Sequence, residues 1–288
     1  MCAVAALLLS SCSSGGAPAE RLPVDDGPGV EVVEGITYWQ GGSESLDLDA
    51  CLPREATTPL PALVVVHGGG FTSGSRTEGG SRGLCETLAT QGIAGFSIDY
   101  RMAPAHTYPD QVDDVSRAVE WLRRPEQVER FGVDPARLGL LGSSAGAVLA
   151  LTVGTAGSGP TDSGARVKTV VSLSGVADFR PQAGRLGDPG PEATQLVLNY
   201  LGCASPADCP VAAEASPVTR VDPSDPPVLL VNGTRELVPS EQVDAMAAAL
   251  EAAGVAHREL LVDGDSHGTS LLRPDVRQAV RSFLKETL

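Results

Sequence analysis

Six apolar stretches recur along the chain from about residue 60 onward, with amphipathic segments between them. They lie at Pro61–His67, Ile93–Ile98, Arg137–Leu141, Val167–Leu173, Val228–Val231 and His257–Val262. The first, with Ala62-Leu63-Val64-Val65-Val66 unbroken, suits a strand buried on both faces. Asp110–Arg123 places Val112, Val115, Val119 and Leu122 on one helical face, and Ser240–Ala253 and Pro274–Leu284 read the same way. Strand and helix in regular alternation predict a mostly parallel sheet with right-handed crossovers and helices on both faces. Val30–Trp39 and Ser45–Leu52 add an antiparallel start, which brings the expected α/β fold to eight strands. Segment 178–222 breaks the rhythm with many Pro and Gly residues. It is expected to cover the upper edge of the sheet as a cap-like insert, not to form a domain of its own.

Charge narrows the choice of partner. With 36 Asp and Glu against 21 Lys and Arg, the net charge is −15, so nucleic acid is excluded as the main partner. Aromatic residues are 4% of the chain and leave little for base stacking. An acidic surface repels anions, so a neutral small molecule is the better expectation.

At the N-terminus, Ala3–Leu9 is too short for a bilayer span but long enough for a signal-peptide core. Leu9-Ser10-Ser11-Cys12 resembles the lipobox of bacterial lipoproteins. That resemblance implies a signal peptide at 1–11, a lipidated Cys12, a membrane anchor and a place in the bacterial cell envelope. The departure is the missing basic region, since no Lys or Arg precedes Arg21. The residues through 30 are rich in Ser, Gly, Ala and Pro and read as a flexible tether.

Four further cysteines, Cys51, Cys85, Cys203 and Cys209, allow three pairings in an exported protein. Cys203 and Cys209 flank a turn-rich stretch that can bring their Cα atoms within bonding range. Cys51–Cys85 follows by elimination, with free buried thiols as the alternative. No Cys-x-x-Cys pair occurs and the four His are scattered, so no metal site is expected.

Gly142-Ser143-Ser144-Ala145-Gly146 follows a strand and opens a helix, the context a nucleophile elbow requires. A serine on so sharp a turn needs small neighbours, and Gly142, Ala145 and Gly146 comply. Gly264-Asp265-Ser266-His267-Gly268 matches the same pattern but leaves no histidine to serve Ser266. His67-Gly68-Gly69-Gly70-Phe71, after the first long strand, can turn its backbone amides toward one point. The amides of Gly69, Gly70 and Ala145 are the expected oxyanion hole, with His67 a scaffold for that loop. The base should follow the acid in chain order. His267, in the loop after the last strand, fits this; His106 and His257 do not. For the acid, Glu236 is the carboxylate in the loop after Val228–Val231, and Asp263 and Asp265 are the alternatives.

These motifs resemble the α/β-hydrolase superfamily, and within it the HGGG-type carboxylesterases related to hormone-sensitive lipase and to bacterial feruloyl or acetyl esterases. Ser97-Ile98-Asp99-Tyr100-Arg101-Met102-Ala103-Pro104 and Phe131-Gly132-Val133-Asp134-Pro135-Ala136-Arg137 are also similar to segments of that family. The resemblance implies one hydrolase domain over 31–288, a serine carboxylesterase acting on small neutral esters without a cofactor, and structural roles for Asp99, Arg101, Asp113 and Asp114. Glu236 departs from the usual Asp, and Ala147 stands where a further Gly often follows the elbow. A serine peptidase would share the triad, but no β-propeller or other large gating domain is evident to select peptides. A catalytically silent binding protein would not need serine, histidine, carboxylate and glycine loop together in the right order.

Overall fold

The computed structural model describes residues 29–55, 59–182 and 186–288. Cys12 and the expected signal peptide lie outside them. Strands β1 (Val30–Gly41) and β2 (Glu44–Pro53) form an antiparallel hairpin, closed where Gly42 takes φ +60°. Val30 begins β1, as the strand expected over Val30–Trp39 requires, so the tether expected through residue 30 ends before it. β2 pairs antiparallel with β4 (Ala94–Ile98). The rest of the sheet is parallel: β4, β3 (Leu60–Val66), β5 (Val133–Ser143), β6 (Val170–Leu173), β7 (Val228–Gly233) and β8 (His257–Val262). The order β1-β2-β4-β3-β5-β6-β7-β8 reverses between β3 and β5. Loops leaving the C-terminal ends of strands at such a reversal open a crevice.

Helices α1 (Ser81–Ala89), α2 (Asp110–Leu122), α3 (Pro125–Phe131), α4 (Ala145–Gly154), α5 (Pro191–Leu201), α6 (Ala212–Ala215), α7 (Glu241–Ala253) and α8 (Pro274–Thr287) complete the fold. The two-residue period of the strands divides the core. Ala62, Val64 and Val66 of β3 face Val115 and Val119 of α2 and the apolar side of α4. Leu63 and Val65 face the other way, toward Leu84 and Leu88 of α1 and Val280 and Phe283 of α8. Each buried Val, Leu or Phe among them contributes about 1.5–3 kcal/mol. This two-sided demand explains why the central strands read as unbroken apolar runs. All ten residues of α4 are buried. Its Thr152 hydroxyl donates to the Val148 carbonyl, so no polar group there is stranded.

Helices α1, α3, α5 and α6 were not expected. The signals for two of them are local: α3 and α5 each begin with Pro in the first turn and end at a left-handed glycine, Gly132 and Gly202. Both cysteine pairs are disulfide-bonded. Cys51–Cys85 ties β2 to α1, and Cys203–Cys209 closes the turn after α5.

Candidate active site

Ser144 sits between β5 and α4 with φ 55° and ψ −118°, a conformation that L-residues rarely adopt. The turn exists because its neighbours lack side chains. A Cβ on Gly142 would lie 2.1 Å from the Gly146 carbonyl oxygen, and one on Gly146 would lie 2.2 Å from that of Val66. The Ser144 amide donates to the Leu173 carbonyl of β6 at 2.7 Å, which fixes the turn to the sheet.

The Ser144 hydroxyl lies 2.8 Å from His267 Nε2. On the other side of the ring, His267 Nδ1 meets Glu236 Oε2. The Glu236 side chain is fully buried and that of His267 is 30% exposed. Glu236 Oε1 accepts two further hydrogen bonds, from the Gly233 amide at 2.9 Å and from the Ser174 hydroxyl at 2.7 Å. Asn232 braces this loop by donating to the carbonyls of Gly233 and Val238. The alternative carboxylates are elsewhere: Asp263 is 84% exposed and paired with Arg235, and Asp265 is exposed. A hydroxyl, an imidazole and a buried carboxylate aligned in this way can pass the serine proton to Nε2 while the carboxylate holds the ring in the required tautomer.

The glycine loop abuts the elbow. A Cβ on Gly68 would lie 3.2 Å from that of Ser144. Gly69 has φ +111° and Gly70 φ +59°, and the Gly69 carbonyl turns away to accept from the amides of Thr72 and Ser73. His67 is the scaffold expected: its ring stacks on Tyr100 with centroids 4.2 Å apart, and Nδ1 meets the Gly68 carbonyl. Burial pushes the His67 imidazole below its usual pKa, against smaller opposing effects from Gly68, Asp99 and Glu78. His106 lies between Glu44 and Asp110, and His257 contacts the Val255 carbonyl. Asp99 pairs with Arg76, and Asp114 with Arg101 and Arg117, as scaffold.

A cleft of about 110 Å³ opens beside Ser144. Phe71, Val148, Phe179 and Leu196 line it, Cys209 reaches its wall, and the half-exposed Leu237 stands at its rim. Leu196 belongs to α5, so segment 178–222 supplies part of this wall. Ser174 also faces the cleft, and no sequence motif marks it. Among the described residues, no group of His, Cys, Asp and Glu is arranged to hold a metal ion, and no helix is long and apolar enough to cross a membrane.

A parallel sheet that reverses at β3 and β5, with a serine on the tight turn beyond β5 and its partners on the last two loops, defines an α/β-hydrolase. Solved structures agree on the fold. A truncated carbohydrate esterase from gut microbiota aligns with TM-score 0.73 and 21% identity, covering 89% of this chain and 95% of its own. Esterase 2 of Thermogutta terrifontis, phosphonylated by sarin, aligns with TM-score 0.71 and 24% identity over 91% and 95%. The chain belongs to the BD-FAE family, whose model matches residues 48–250. Esterase LipC of Mycobacterium tuberculosis is 31% identical over 81% of this chain and 62% of its own length. The carboxylic ester hydrolase LipM of the same organism, itself described as probable, is 29% identical over 72% and 49%. The chain thus spans roughly half to three-fifths of the length of these relatives.

Proposed function

We propose that the protein is a serine carboxylesterase that hydrolyses small neutral carboxylic esters through an acyl-enzyme on Ser144. The observation that carries this reading is the continuous Ser144–His267–Glu236 hydrogen-bond chain beside the glycine loop. Ser144 Oγ attacks the ester carbonyl carbon while its proton passes to His267 Nε2. The carbonyl oxygen becomes an oxyanion, and the amides of Gly69, Gly70 and Ala145 donate to it. Collapse breaks the bond to the alcohol, which leaves with the His267 proton. Water then gives a proton to His267 and attacks the acyl carbon. The carboxylic acid departs and the proton returns to Ser144. Glu236 orients the imidazole throughout, and no step calls on a metal or an organic cofactor.

The apolar lining suits an uncharged acyl group, and the net charge of −15 disfavours a polyanionic substrate. The Cys51–Cys85 and Cys203–Cys209 disulfides suit an exported chain. Cys12 is proposed as a lipid attachment site after cleavage of residues 1–11, with residues through Gly29 as the tether and a single domain beyond it. Growth with a labelled fatty acid should mark the wild type and not Cys12→Ala.

The activity is tested with p-nitrophenyl esters and a fluorophosphonate probe. The wild type should hydrolyse the short esters and take the label, and Ser144→Ala should do neither. Hydrolysis retained by Ser144→Ala would remove Ser144 as the nucleophile. A wild type that neither turns over nor labels would favour a binding protein.

A further inference from the structure

The Ser174 hydroxyl touches both the acid and the loop carrying the base. It donates to Glu236 Oε1 at 2.7 Å and accepts from the Gly268 amide at 2.8 Å. Gly268 directly follows His267 and takes φ +57°. A Cβ on Gly268 would lie 2.4 Å from the Ser143 hydroxyl. The histidine loop is thus pressed against the elbow and held there by Ser174.

Ser174 is itself held in an unusual way. It follows β6 with φ +62°, and its amide donates to the Val231 carbonyl at 2.9 Å. Glycine adopts that conformation without penalty and serine does not. A fully buried serine at such a backbone position, with both hydrogen-bond roles of its hydroxyl used on the same pair of loops, is strain located at a functional site.

We infer that Ser174 is a positioning residue: one hydroxyl fixes Glu236 and the His267 loop relative to each other, so that His267 Nε2 meets Ser144 in the reactive geometry. This rests on the esterase reading above. Its charged surroundings are few. Arg235 and Asp263 pair with each other at the surface, Asp265 is exposed, and Asp178 in the cleft wall is held by Arg180. Once the Ser174 hydroxyl is removed, Glu236 keeps only the Gly233 amide on Oε1. Its carboxylate is then less firmly held, and the imidazole it orients loses its fixed direction toward Ser144.

The experiment uses the full chain with Ser174→Ala and Ser174→Gly, the second of which relieves the positive φ and so protects the fold. Esterase activity and fluorophosphonate labelling of the wild type are established first. Both variants should then lose about 10- to 100-fold in kcat. KM for p-nitrophenyl acetate should hold within about twofold. An unchanged kcat in Ser174→Gly would overturn the inference. So would a loss that appears as a raised KM, since that is the mark of a disturbed cleft wall and not of a misaligned triad. An inactive, unlabelled wild type would instead overturn the esterase reading.

Discussion

Leu196, on the helix of the insert, lies directly over Gly70 of the glycine loop: a Cβ on Gly70 would fall 2.7 Å from Leu196 Cδ2. One segment inserted between β6 and β7 therefore presses on the loop that follows β3. The insert and the expected oxyanion hole are a single packed unit, and the size of the cleft beside Ser144 depends on that contact.

Two substitutions test this contact from opposite sides. Gly70→Ala would have to displace either Leu196 or the loop, at a backbone φ of +59°. It should lower kcat about 100-fold through misaligned amides. Leu196→Ala removes wall instead. It should raise kcat/KM for butyrate and longer p-nitrophenyl esters relative to acetate, while Ser144 labelling persists.

Glu236→Gln should cost about 10⁴-fold in kcat. The reason is geometric. The Gly233 amide and the Ser174 hydroxyl both donate to the Oε1 position. An amide there would turn its oxygen toward them and present its NH₂ to His267 Nδ1. The ring would then carry its proton on Nε2 and could not accept one from Ser144. Asp263→Asn and Asp265→Asn should stay within about twofold of the wild type. Steady-state kinetics of the three variants separates these outcomes.

Acid stability should depend on Asp49. Burial raises the pKa of its carboxyl, but the Gly35 amide and the guanidiniums of Arg82 and Arg76 outweigh burial and hold it below the ordinary 3.8. A carboxyl depressed in the folded state stabilises the protein above its unfolded pKa. That contribution is lost as pH falls from about 3.8 through the lower native value. Denaturant melts across this range should show stability falling with pH in the wild type. Asp49→Asn should be less stable at neutral pH and show a flatter acid slope.

The two disulfides should separate stability from specificity. Cys51 and Cys85 are 34 residues apart in sequence, Cys203 and Cys209 only 6. Loop-closure entropy assigns about 4 kcal/mol to the first and about 2 kcal/mol to the second. Cys51→Ala/Cys85→Ala should show the larger loss in urea unfolding. Cys203→Ala/Cys209→Ala should lose less, yet alter the acyl-chain preference, because Cys209 lines the cleft.

Much of the fold was legible because the signals for it are local. Val64 and Val65 must both be apolar when helices cover both faces of β3, so the central strands announce themselves. Ser144 and His267 were legible for a related reason. A serine between Gly142 and Gly146 after a strand marks a turn that other residues cannot make, and chain order singles out His267 as the histidine expected beside it. Helix α5 escaped notice although Pro191 and Gly202 bracket it, because the surrounding Pro and Gly residues read as irregular chain.

By itself the sequence determined the alternation of elements, the elbow and the glycine loop, since each depends on residues within a few positions of one another. Tertiary structure decided which carboxylate meets the imidazole, that Leu196 covers Gly70, and that Ser174 joins Glu236 to Gly268. Those contacts cross 31 positions from Glu236 to His267, 62 from Ser174 to Glu236 and 94 from Ser174 to Gly268. No local periodicity encodes them. They exist because a parallel sheet delivers the ends of β3, β5, β6, β7 and β8 to one edge, where loops distant in the chain must share the same space.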